Sequence, residues 1–171
     1  MTVTIRDAKP SRQDRRWISG VYREYVGDLS ADNTGVFPAL IETGYRDDDV
    51  LDVWFRDERA TPLLILYSGT PVGFALVERS LPRAGPHEPP QHRLSEFFVR
   101  QPFRRRGVGR EAAQLIFTRF GGRWLVVEQA RNGGAVEFWR RVITRYTHGR
   151  FHERTGGGEV RQSFDSVHPP G

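Results

Sequence analysis

The chain has 171 residues, 37% hydrophobic and 27% charged, which is enough for one globular domain with a packed core. It contains no cysteine, and this excludes disulfide frameworks, thiolate metal sites and a cysteine nucleophile. A formal net charge of +5 and a pI near 10.2 imply an anionic partner, whether nucleic acid, membrane surface or phosphorylated small molecule, without choosing among them. Lys9 is the one lysine, so the positive charge is almost all guanidinium, which suits bidentate phosphate contacts and is equally explained by codon bias. No stretch reaches the roughly 18 to 20 apolar residues of a membrane span, and MTVTIRDAKP lacks the halves of a signal peptide. A cytoplasmic protein is expected.

In chain order, TVTIR alternates as a short strand. From Ser11 to about Val26, the residues Trp17, Ile18, Val21, Tyr22, Tyr25 and Val26 follow helical spacing behind a serine N-cap. GDLSADNTGVFPAL reads as a loop, and RDDDVLDVWFRDE as a second helix whose acidic first turn suits the helix dipole. PLLILYS and PVGFALVER form a hairpin through Gly69-Thr70. LPRAGPHEPPQ, with Pro82, Pro86, Pro89 and Pro90, is a connecting loop.

HRLSEFFV is a further strand, and GVGREAAQLIFTRF a helix with Val108, Ala112, Leu115, Ile116 and Phe120 on one face, stopped by Gly121-Gly122. RWLVVEQA is a buried strand. GAVEFWRRVITRY is a helix in which Ala135, Phe138, Trp139, Val142, Ile143 and Tyr146 keep the amphipathic period. The tail THGRFHERTGGGEVRQSFDS gives two short strands around Gly156 to Gly158. This order predicts an α/β fold: a mixed central sheet of six to seven strands, flanking helices and a central βαβ crossover.

The crossover carries the chemistry. A strand ends at Val99, a loop brings Arg100, Arg104, Arg105 and Arg106, and a helix starts near Gly107. The first N–H groups of a helix lack internal partners and hold the positive end of its dipole, so this is an anion site. Gly107 and Gly109 let the backbone approach a phosphate with no Cβ in the way. A Walker A loop would need a Lys and a hydroxyl that are not there. The dinucleotide fingerprint is met by Gly107, Gly109 and Ala112, with Glu128 near the ribose position, but seven residues separate Val99 from Gly107.

Arg104-x-x-Gly107-x-Gly109, after a strand ending in Phe97-Phe98-Val99, resembles the acyl-CoA loop of the GCN5-related N-acetyltransferases, [RQ]-x-x-G-x-[GA]. After the next strand, Asn132-x-x-Ala135-x-x-Phe138-Trp139 resembles that family's N-x-x-A-x-x-F-Y segment. Order and spacing agree from about Thr61 to the end, as in predicted acetyltransferases sharing a phrase like EFFVRQPFRRRGVGR followed by FW. The resemblance implies one N-acetyltransferase-like domain over residues 1–171, with a variable acceptor side in 1–60, a cofactor-binding core in 61–146 and C-terminal strands in 147–171.

It also implies a cofactor site. Phe97, Phe98 and Val99 lie on a strand whose backbone would pair with the pantetheine arm of acetyl-CoA, Phe97 and Val99 through their amides and carbonyls. Arg105, Arg106, Gly107, Val108, Gly109 and Arg110 would wrap the pyrophosphate, Arg104 would reach phosphate or brace the loop, Asn132 would bond the pantetheine, and Phe138 would pack beside it. Trp139 stands where the family often has a tyrosine that protonates the departing thiolate, and an indole N–H does not supply that proton. Tyr146, two turns further on, is about 10 Å away along the axis.

A base is needed to take a proton from the acceptor's ammonium. Glu96 is the first candidate, facing opposite to Phe97 by strand alternation, and Glu128 the second; each equally suits a structural pairing with arginine. His87, His92, His148, His152 and His168 give no ligand spacing on one helix, so no metal is expected. Asp47, Asp48 and Asp49 suit a helix start, while Trp17, Tyr22, Tyr25 and Trp54 suit either core packing or an acceptor pocket. The expected activity is direct acetyl transfer from acetyl-CoA to a small-molecule or protein amine, in a monomer or homodimer, with no nucleic-acid or membrane partner. The alternatives are a protein that binds acetyl-CoA without transfer, and a basic nucleic-acid-binding domain built on the Arg100–Arg110 and Arg140–Arg150 clusters.

Overall fold

A computed structural model of the chain describes residues 2–31, 47–80 and 90–166. One mixed sheet of seven strands runs in the order β1 (Val3–Asp7), β2 (Ala60–Tyr67), β3 (Thr70–Arg79), β4 (His92–Val99), β5 (Gly122–Gln129), β7 (Glu159–Ser166), β6 (His152–Gly156). Four α-helices flank it among the described residues: α1 (Arg12–Ala31), α2 (Asp47–Arg56), α3 (Val108–Arg119) and α4 (Gly133–Thr147). Only the β4/β5 pair is parallel, because α3 crosses over between those two strands. No described helix is long and apolar enough to cross a membrane.

The hydrophobic pattern splits the core between the two faces. On the front, α1 and α2 bury Ile18, Tyr22, Tyr25, Val26, Leu51 and Trp54 against Leu64, Phe74, Leu76 and Phe98. On the back, α3 and α4 bury Ile116, Phe117, Trp139, Val142 and Ile143 against Ala75, Val77, Leu94, Trp124 and Val126. Tyr22, Tyr25 and Trp54 are thus core side chains, as an apolar stripe at helical spacing predicts.

Several boundaries differ from the sequence reading. The Ser11 hydroxyl accepts the Asp14 amide at 3.1 Å, as a cap should, but α1 continues to Ala31 and takes in GDLSA from the expected loop. The β2/β3 turn is Ser68-Gly69, both with positive φ, one residue earlier than expected. On α3 it is Phe117, fully buried, and not Leu115, 39% exposed, that faces the sheet; the helix ends at Arg119 and leaves Phe120 as its C-cap. The tail folds back so that β7 inserts between β5 and β6. The rest of the first expected loop, Pro82, Pro86, Pro89, His87 and His168 lie outside the described residues.

Candidate functional site

The site begins with a defect in β4. Leu94 pairs with Val77 and Glu96 with Leu76, so Ser95 is an extra residue, a β-bulge. The inserted residue resets the alternation: Leu94 and Phe97, three apart, both face the back, while Glu96 and Phe98 face the front. Parallel pairing to β5 stops at the same point, with Leu94 opposite Val126 its last rung. Beyond it the two strands part, and β4 keeps only β3 as a partner.

Backbone groups along a strand point alternately to its two edges. The Arg100 N–H bonds Val72 O of β3 at 2.9 Å, and the Phe98 carbonyl lies against Gly73 of β3. The Phe97 amide and carbonyl and the Val99 amide therefore point into the gap beside β5. The Val99 carbonyl is already taken by Arg104 Nε at 2.7 Å. Phe98 does not reach the gap: its backbone serves β3 and its ring packs on Tyr25 and Phe74 in the front core. In a run of three aromatic and branched residues, one has its backbone committed to the neighbouring strand.

The gap leads to the start of α3. Arg105 (φ 62°) and Gly107 (φ 80°) both adopt left-handed backbone, turning the chain sharply into the helix. No side chain caps α3, and its first internal bond is from Glu111 N to Gly107 O at 3.0 Å, so the amides of Val108, Gly109 and Arg110 remain helix-terminal donors. A Cβ on Gly109 would lie 3.3 Å from Phe138 Cζ and 3.7 Å from Phe97 Cε1. That close approach brings the two sequence motifs together: strand β4, the glycine turn and α4 meet around one residue. The Val108 side chain, by contrast, is buried in the core, so only its backbone serves the turn.

The arginines divide. Arg100 Nε pairs with Glu24 at 3.0 Å, and Arg104 pairs with Asp28 while its guanidinium sits 5.5 Å over the Phe98 ring. Both tie the loop to α1, and Arg104 braces it. Arg105 and Arg106 are exposed and Arg110 is half-buried at the mouth of the turn.

Asn132 caps α4, its Oδ1 accepting the Ala135 amide at 3.1 Å. Phe138 sits 6.2 Å from Phe97, ring to ring. Trp139 is buried between Phe97, Phe117 and Phe138. The Tyr146 hydroxyl bonds Thr118 at 3.1 Å and Ser166 at 2.8 Å, which fixes it within the back layer.

Glu96 and Glu128 lie on opposite faces. Glu96 is half-buried on the front, at the bulge where the gap opens, and the Tyr25 hydroxyl of α1 donates to its Oε2. Burial pushes its carboxyl up to about 8. The sequence offers Tyr25, with Trp17, Tyr22 and Trp54, as core packing or acceptor pocket, and nothing in the apolar stripe singles out its hydroxyl as a partner of Glu96. Glu128 is buried beneath α4 with neither oxygen in a well-formed hydrogen bond, and burial, opposed by the nearby Gln162 amide and Arg140, pushes it up to about 8. The neighbouring Gln162 gives its N–H to Glu153 at 3.0 Å, and Glu153 pairs with Arg140. Among the described residues, no group of three metal-ligating side chains forms.

The acetyltransferase (GNAT) family matches residues 24–143. No curated protein matches the sequence. Among solved structures, an acetyltransferase from Thermus thermophilus superposes with a TM-score of 0.66 at 18% identity, covering 96% of this chain and 97% of that one. PaiA N-acetyltransferase from Thermoplasma acidophilum, in complex with coenzyme A, gives 0.61 at 15% identity over 96% and 99%. A GNAT-family acetyltransferase from Streptococcus agalactiae gives 0.66 at 14% over 98% and 96%.

Proposed function

Because the chain belongs to the acetyltransferase (GNAT) family and is an acyltransferase, we propose that it moves the acetyl group of acetyl-CoA directly to an amine, with Glu96 as the base. The observation that carries this reading is the parting of β4 from β5 at the Ser95 bulge, in line with uncapped helix amides at the glycine turn. The residues present fit the cosubstrate. The Phe97 carbonyl and the Val99 amide suit the amide-bearing pantetheine arm, and the amides of Val108, Gly109 and Arg110 suit a pyrophosphate. Arg105, Arg106 and Arg110 supply the balancing charge. PaiA N-acetyltransferase, of the same fold, was solved with coenzyme A.

The chemistry asks little of the side chains. Glu96 takes one proton from the acceptor's ammonium; the free amine then forms the C–N bond as the thioester C–S bond breaks. Trp139 carries no transferable proton and Tyr146 is held by Thr118 and Ser166, so the departing thiolate takes the amine's second proton. A donor at the Phe97 amide would meet the developing oxyanion. The nucleic-acid reading loses its basis at Arg100 and Arg104, which face acidic partners on α1 instead of solvent phosphate.

Calorimetric titration tests the reading. Acetyl-CoA should bind the native protein, with NADH and a DNA duplex giving no comparable heat. Gly109→Trp should abolish that binding, since even a Cβ there meets Phe138 and Phe97. Undiminished affinity in this variant would remove the glycine turn from the site.

A further inference from the structure

The β6/β7 hairpin presents two like charges to each other on the front face. Glu153 and Gln162 pair across the hairpin and face the back, where Arg140 of α4 takes Glu153. The next rung is Arg154 opposite Arg161, and by alternation both point forward, to the face that carries Glu96. Like charges directly opposite one another in a sheet are destabilising. Arg161 has only Glu159 at 3.5 Å, and Arg154 forms no ion pair among the described residues. Both are exposed.

The register aligns this pair with the site. Leu94 of β4 is level with Val126 of β5, so Glu96 stands near the Val127 row, and Val127 pairs with Arg161. Arg161 is two strands from β4 and Arg154 three; a regular sheet at about 4.8 Å per strand would put them about 10 and 15 Å from the Glu96 backbone, and the parting of β4 from β5 makes both distances longer. A carboxylate therefore stands at one end of this row, and two exposed guanidiniums, with Glu159 beside Arg161, at the other. That charge order is the complement of a zwitterion, with its ammonium toward Glu96.

We propose that Arg154 and Arg161 form an anion subsite that selects acceptors carrying a carboxylate several bonds away from the amine. The inference rests on the acetyl-transfer reading above and adds the acceptor's class to it. A carboxylate lying between the two guanidiniums would offset their mutual repulsion, and each offers a fork of donors to it.

The test is a length series of ω-amino acids, glycine to aminooctanoate, against amino alcohols of matching length, read as thiol release from acetyl-CoA by the full chain. An acid of intermediate length should exceed its alcohol in kcat/KM by about tenfold or more, the range of hydrogen bonds to a charged group. In Arg161→Gln and in Arg154→Gln that ratio should fall toward unity while acetyl-CoA affinity, measured by calorimetry, is kept. Equal use of acids and alcohols, or a ratio that survives both substitutions, overturns the subsite and leaves acetyl transfer standing. If acetyl-CoA binds but no amine in the series is acetylated, titration of the CoA-loaded protein with the N-acetylated acids decides. Binding that depends on Arg161 supports the subsite, and absence of binding overturns it. Failure to bind acetyl-CoA at all defeats the acetyl-transfer reading, and this inference with it.

Discussion

Glu96 and Glu128 sit on adjacent strands of one sheet, and burial pushes both carboxyls up to about 8. Their surroundings nevertheless differ in the one respect that matters for proton transfer. Glu96 stands on the front, at the bulge where β4 leaves β5, with the Tyr25 hydroxyl on one oxygen. Glu128 is sealed beneath α4, where Gln162 and the Arg140–Glu153 pair are its polar neighbours and neither oxygen is in a well-formed hydrogen bond. An upshifted carboxyl reports that a charge would be poorly solvated, and nothing about where its proton can go. Access to the gap, not the size of the shift, separates a base from a buried acid.

Replacing Glu96 gives the largest expected separation of the two. Glu96→Gln keeps the shape and removes the proton acceptor, so kcat/KM should fall about 10²- to 10⁴-fold, the usual worth of a positioned base, with acetyl-CoA affinity retained. Because the ionised form takes the proton, native turnover should climb with pH through about 8. The climb should disappear in the variant when an acceptor amine of low pKa is used. A rate and pH profile that match the native enzyme would strike Glu96 from the mechanism.

Tyr25→Phe should act more gently and on the same limb. A hydroxyl donating to a carboxylate favours its charged form, so losing it raises the Glu96 pKa further. A hydrogen bond to a charged group corresponds to about one pKa unit, and the rising limb should move to higher pH by about that much. Measured below the limb, kcat/KM should drop about tenfold, and above it the difference should close. A uniform drop at every pH would mean that Tyr25 only packs the front core.

The sequence was informative wherever one residue type has one backbone consequence. Gly107 and Gly109, the order of elements and the stripe of α4 led directly to the crossover and its helix start, because helical period and left-handed turns are local properties. The bulge at Ser95 was not legible, since nothing in HRLSEFFV says that one residue will go unpaired; yet that insertion puts Glu96 on the front face and sends Phe97 to the back with Leu94. Roles decided by long-range partners were equally hidden. Arg104 and Arg105 are the same residue in adjacent positions, but only Arg104 has Asp28 within reach. Asn132, expected as a cofactor ligand, also holds its own helix start through Oδ1, a local bond that Asn makes readily. The rung of Arg154 on Arg161 requires a register that only the folded hairpin fixes.

Glu128→Gln should be the mildest change for catalysis, within about threefold in kcat/KM if the role is structural, and its effect should be on stability. An unfolded glutamate ionises near 4.5, whereas folded Glu128 does so at about 8. Between those values the folded chain holds a proton that the unfolded chain has released, so raising the pH across this window favours unfolding by about 1.4 kcal/mol per unit. Glutamine does not titrate. Glu96 imposes the same slope on both proteins, so the difference between their urea-unfolding curves isolates Glu128. From about pH 5 to pH 8 the native chain should lose up to about 4 kcal/mol relative to the variant. Parallel curves would mean that Glu128 is ionised in the fold, with a cation or water supplying what Gln162 and Arg140 do not. A collapse of turnover in Glu128→Gln would instead reverse the comparison and make the back-face carboxyl part of the proton path.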